Sequence, residues 1–135
     1  MSEAVAPTEV VVLALADGLV AVDARLVLAV VRAEVDEGAV VVPLAESLGR
    51  SEAPGPPYGV RVRTPLGPRT LKLTGRAEIV PVAAKGYMPL PTRFSGVSGG
   101  VYTALVRLDR QDDALALVLD ASRLGVGREG PGALV

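Results

Sequence analysis

The sequence predicts an all-β protein, and three observations predict it. The chain is 50% hydrophobic but only 3% aromatic, so its core is aliphatic and rich in valine, a residue that loses little side-chain freedom on a pleated strand. Short apolar or alternating runs follow one another, separated by Gly, Pro and Asp turn signals. Helical patterning is confined to stretches of a few residues. About eight or nine short strands with little helix is the signature of barrels or a sandwich.

The elements follow in order. Glu9 to Ala16 is a continuous apolar strand, ended by Asp17-Gly18, a strong two-residue hairpin signal, after which Leu19 to Val22 returns. Asp23 to Arg32 reads in two ways. It could be a helix N-capped by Asp23, or a tight bend at Ala24-Arg25 followed by a strand from Leu26; its β-branched content favours the strand. Ala39 to Val42 is a short strand, and Pro43, without an N–H, is expected to end its pairing. "LAESLG" reads as a short helix stopped by Gly49. Ser51 to Pro57 is loop by composition, Gly59 to Arg63 alternates as a half-buried strand, and Pro65 to Pro68 carries a turn. Thr70 to Leu73 and Ala77 to Val82 are strands divided at Thr74-Gly75. Met88 to Gly100 is a long loop, Val101 to Leu108 and Ala114 to Leu119 form a closing hairpin around the polar turn Asp109 to Asp113, and Asp120 to Leu124 reads as a short capped helix.

Composition excludes several functions. The net charge is −1 and the basic residues are scattered, so no basic stripe is available to displace counterions from nucleic acid; Tyr58, Tyr87, Phe94 and Tyr102 are too few and too dispersed to stack bases. Without cysteine there is neither disulfide nor thiolate metal site, and without histidine the commonest general base is missing. The first residues lack the pattern of a signal peptide and no apolar run reaches membrane-spanning length, so a cytoplasmic protein without membrane insertion is expected.

Motifs with possible chemistry do not find the context that chemistry needs. "GVGREG", Gly125 to Gly130, has the G-x-G-x-x-G spacing, but Pro131 follows and no helix can be built behind it. "GVSGG", Gly96 to Gly100, could cradle an anion with backbone N–H groups, although a plain connection explains it better. Asp109, Asp112 and Asp113 flank Arg110 but lack the glycine and distal glutamate of a calcium loop. Lys72, Lys85, Glu46 and Glu78 form no recognisable dyad with a nucleophile. No enzymatic activity, cofactor or metal is therefore expected, and an interaction surface is left as the means of action.

The order of these elements resembles the CheW family of chemotaxis coupling proteins from about Val10 to Leu124. "VLALADGLVAVDARLVLAVVRAE" looks like the first three strands of that family, with Val22-Asp23 at its hydrophobic-Asp step and Val27 and Val30 on the third strand. "AVVVPLAESLG" is similar to its strand and helix, with Pro43 where an aspartate is usual, and "TLKLTGRAEIVPV" to a later strand, with Thr74 at another usual aspartate. "MPLP" and "ALALVLDASRLG" match the segment before the long loop and the closing strand. The resemblance implies two intertwined small SH3-like β-barrels with short helices in one domain, 9–124, between flexible ends at 1–8 and 125–135. It implies a non-enzymatic adaptor that binds the cytoplasmic hairpin of a chemoreceptor (a methyl-accepting chemotaxis protein) and a CheA-type histidine kinase or another CheW-like protein. It places Val27, Val30, Gly59 and Val60 on the receptor-binding groove. One departure stands out: the family's Leu-Arg-Gly segment has no counterpart, and only Ala33 to Gly38 separates Arg32 from the next strand. The first barrel should therefore be smaller by about one strand, with kinase binding weakened or lost. A small-ligand or anion-binding β-barrel sensor is the alternative reading.

Overall fold

The computed structural model describes residues 8–32, 40–92, 100–109 and 114–123. Ten strands occur among them, β1 (Glu9–Leu15), β2 (Gly18–Asp23), β3 (Val27–Arg32), β4 (Val40–Pro43), β5 (Pro57–Val62), β6 (Arg69–Thr74), β7 (Ala77–Pro81), β8 (Tyr87–Met88), β9 (Tyr102–Arg107) and β10 (Leu115–Leu119), with one α-helix, α1 (Leu44–Leu48). They make two sheets, one of six strands in the order β7-β1-β2-β10-β9-β8 and one of four in the order β3-β5-β6-β4. The chain begins in the larger sheet, builds the smaller one, and returns to finish the larger. This is the expected all-β architecture of two interleaved β lobes with little helix.

The first strand shows why the fold needs continuous apolar runs. Val11, Leu13 and Leu15 point into the core between the sheets with Val20, Val22, Leu71 and Leu117. Val10 and Val12 point the other way, into a second core with Ala21, Val80, Val106 and Ala116. Both faces of β1 are covered, so the alternation of a half-exposed strand is lost. The second core exists because the larger sheet curls on itself: the Asp109 N–H, just past β9, donates to the Pro81 carbonyl at the end of β7 at 3.1 Å.

Local chemistry sets the joints. Asp23 accepts from the Arg25 backbone N–H at 2.9 Å and closes a 3₁₀ turn over Ala24–Leu26, after which β3 begins. The strand reading of that stretch holds, with the strand starting at Val27, and Asp23 caps a single 3₁₀ turn before it instead of a longer helix. Gly49 sits at φ +70 as the left-handed stop of α1. Pro43 ends the parallel β4–β6 ladder as expected, itself forming the last pair, opposite Lys72. It can do so because β4 is an edge strand, where a residue without an N–H is tolerated. The smaller sheet has both edges, β3 and β4, unpaired by other described strands. The turn after Asp109, most of the long loop and the chain beyond Arg123 lie outside the described residues.

Candidate functional site

The two sheets do not meet along their whole junction. Where they part they leave a cleft of about 780 Å³. Val30 and Tyr58 line it from the smaller sheet and Ala14 and Ala77 from the larger one; the loop from Ala53 to Pro57 and the turn Gly75-Arg76 close its end. The walls are mostly aliphatic or proline.

The loop is held in place by backbone geometry. Gly75 N–H donates to the Pro56 carbonyl at 2.9 Å, and the Thr74 hydroxyl donates to the Ala53 carbonyl. Gly55, at φ +140, crosses Gly75 so closely that a methyl group on it would lie 2.6 Å from Gly75 Cα. Only glycine allows that crossing. Four prolines or glycines in succession, Pro54 to Pro57, then leave the wall little freedom to collapse into the cleft.

Two polar groups stand out in this setting. Tyr58 is 5% exposed, and its hydroxyl finds no hydrogen-bond partner among the described residues. Burial pushes the phenol up to about 12 from its ordinary 10.0. Arg76 is exposed on the rim and forms no ion pair with the described residues.

The residues expected on a receptor groove are brought together but not equally presented. Val27 pairs with Val62 and Val30 with Val60, and a bulge between Val27 and Ala29 turns Val27 and Val30 to the same face of β3. On that face Val27 is half-buried against the main core, and Val60 is completely buried within it. Gly59 is buried opposite Val31. Val30 is 53% exposed and lines the cleft. Of the four, then, Val30 presents its side chain to the cleft; the packing of the larger sheet against β5 takes Val27 and Val60 inward. Sequence reasoning missed Tyr58, Ala14, Ala77 and Arg76, which come from three separate stretches and meet only through the sheet pairings.

A second depression, of about 580 Å³, lies beyond the β1–β2 turn and is lined by Leu48, Arg50, Tyr102 and Leu117 among others. Arg50 acts there as a tie: its guanidinium donates to Asp17 at 2.8 and 2.9 Å and to the Tyr102 hydroxyl at 3.3 Å, so it joins the stretch after α1 to the β1–β2 turn and to β9 of the larger sheet. The hydrogen bond from Arg50 lowers the Asp17 carboxyl below its ordinary value. Of the other residues considered for chemistry, Glu46 lies on α1 and Glu78 on the outer strand β7, while Lys72 and Lys85 lie on β6 and in the turn before β8. No cluster of three metal-ligating side chains occurs among the described residues. No helix of the described residues is long and apolar enough to cross a membrane.

No protein-family model matches this sequence, and no curated protein matches it. The fold has a clear counterpart among solved structures. The crystal structure of the scaffolding protein TtCheW from Thermoanaerobacter tengcongensis is similar over 94% of this chain and 96% of that one, with a TM-score of 0.68 at 17% sequence identity. The chain therefore has the all-β fold of a CheW scaffolding protein.

Proposed function

We propose that this protein is a non-enzymatic adaptor of a chemosensory signalling system, a reduced relative of CheW that holds the cytoplasmic hairpin of a chemoreceptor and binds a CheA-type histidine kinase weakly or not at all. The observation that carries the reading is the apolar cleft between the sheets, rigid-walled and open, on a fold shared with the scaffolding protein TtCheW. Such a surface suits burial of a partner's apolar side chains, which is the main source of affinity at protein interfaces. Val30 is the groove residue from the sequence that faces this cleft, and Val27, Gly59 and Val60 support it from beneath. The short connection from Arg32 to Val40 and the two unpaired edges of the smaller sheet support the loss of the kinase contact. Localisation in the cytoplasm follows from the partners proposed.

The test is a pull-down with a soluble receptor hairpin and, separately, with the kinase. Retention of the hairpin with little or no kinase is the expected outcome. Full kinase binding and activation would refute the reduced adaptor, and failure to retain any receptor hairpin would refute the adaptor itself.

A further inference from the structure

The edge of β3 and the cleft form one continuous surface, because Val30 belongs to both. The strands that end the two sheets differ in how they are guarded. β7 carries Glu78 and Pro81, β4 ends on Pro43, and β8 is two residues long. Charges, prolines and short length are the usual means of keeping an edge from pairing with another chain. β3 has a bulge between Val27 and Ala29, and then presents Ala29, Val30 and Val31 with no charge or proline before Arg32. Leu28 and Val30 are 51% and 53% exposed. An edge unpaired by other described strands, with the apolar stretch Ala29 to Val31 open beyond its bulge and an apolar pocket beside it, is the geometry of strand addition, in which the ladder supplies affinity and the pocket reads alternate side chains.

We infer that the β3 edge and its cleft bind an extended segment of another protein, apolar at alternate residues and carrying an acidic residue. The segment adds as a fifth strand beside β3. One of its apolar side chains enters the cleft against Val30 and Tyr58, where proline walls spare the cost of ordering the pocket. The acid is set by charge complementarity: among the described residues Arg76 is the one charged residue lining the cleft, and it forms no ion pair with them. Tyr58 gives independent support, since a buried hydroxyl without a partner sits in the same wall and gains if a small movement lets it meet an acceptor on the incoming chain. This partner is distinct in kind from a helical receptor hairpin, and the two would occupy the cleft at Val30 in turn and not together, so selection of helical patterns would remove this inference and leave the adaptor reading standing.

The test uses the full chain and a phage-displayed library of random twelve-residue peptides. The selected peptides are expected to alternate apolar residues and to carry Asp or Glu. Methylating the backbone nitrogens that face β3 should weaken binding roughly fivefold for each ladder hydrogen bond removed, while methylating the nitrogens that face away should not. Arg76→Ala, a change on the exposed rim, should relax the preference for an acid without altering the fold. Selection of no peptide, selection of helical i, i+3, i+4 patterns, or indifference to the register of methylation would overturn the inference. Self-association of the protein alone that Val30→Lys abolishes would place a second copy on the edge and overturn it as well.

Discussion

Tyr58→Phe removes one oxygen atom and should stabilise the protein. The hydroxyl is buried without a partner among the described residues, on a side chain that lines the cleft and packs in the main core. A buried hydroxyl that has lost water and gained no hydrogen bond costs about 1–3 kcal/mol. Taking the lower end, about 1 kcal/mol, and an unfolding entropy of roughly 2.1 cal/mol/K per residue over the 135-residue chain, the melting temperature should rise by about 3–4 °C. The same substitution should change the response to alkali. The folded phenol titrates near 12 and the unfolded one near 10.0. The folded state therefore holds its proton longer, and this contribution to stability is complete below pH 10 and declines as pH rises towards 12. The slope is up to about 1.4 kcal/mol per pH unit. Chemical denaturation of both proteins at pH 7, 10 and 11 reads both effects. A lower melting temperature for Tyr58→Phe would show that the hydroxyl is satisfied, and equal losses in the two proteins at pH 11 would show that burial does not hold its proton; either result refutes the reasoning.

Three further expectations follow from the geometry. Gly55→Ala forces a methyl group to within 2.6 Å of Gly75 Cα at a φ that L-residues avoid, so the loop must lift from the β6–β7 turn; a loss of about 2 kcal/mol or more in denaturant titration, with faster proteolysis at Ala53–Pro57, is expected. Val27→Asp places a carboxylate against the main core and should destabilise by roughly 2 kcal/mol or more, whereas Val30→Asp should stay within about 0.5 kcal/mol of the wild type by the same assay. Asp23 is pulled upward by burial, but its hydrogen bonds from the Arg25 side chain and backbone outweigh this and hold it below its ordinary 3.8. Its contribution is therefore present above that value and lost as pH falls through the lower folded pKa, so Asp23→Ala should cost about 1 kcal/mol at pH 7 and less at pH 2, as followed by thermal melts.

Much of the fold was legible because its signals are local. Asp17-Gly18 turned the first hairpin, Gly49 stopped the helix at the one position of that stretch with a left-handed backbone, and the runs on either side of Thr74-Gly75 became separate strands. What the sequence did not carry were the pairings between distant stretches. β2 lies parallel to β10 and β4 parallel to β6, and each is set by which faces of the two sheets bury one another. β8, at two residues, is too short to leave a pattern. The same limit governed the site. Val27 and Val30 share a face only because of a bulge, and an apolar residue on β5 looks alike in sequence whether it lines a cleft or fills a core. Tyr58 could have been flagged as one of four aromatics in an aliphatic chain, but its unsatisfied hydroxyl depends on neighbours that the sequence does not place beside it.

The claim that the protein acts through the open apolar cleft is tested most directly by titrating a soluble chemoreceptor hairpin into the wild type and into Val30→Asp, with binding followed by calorimetry. Saturable binding to the wild type and at least tenfold weaker binding to a variant of unchanged melting temperature is the predicted result. Equal affinities for the two proteins would contradict the account.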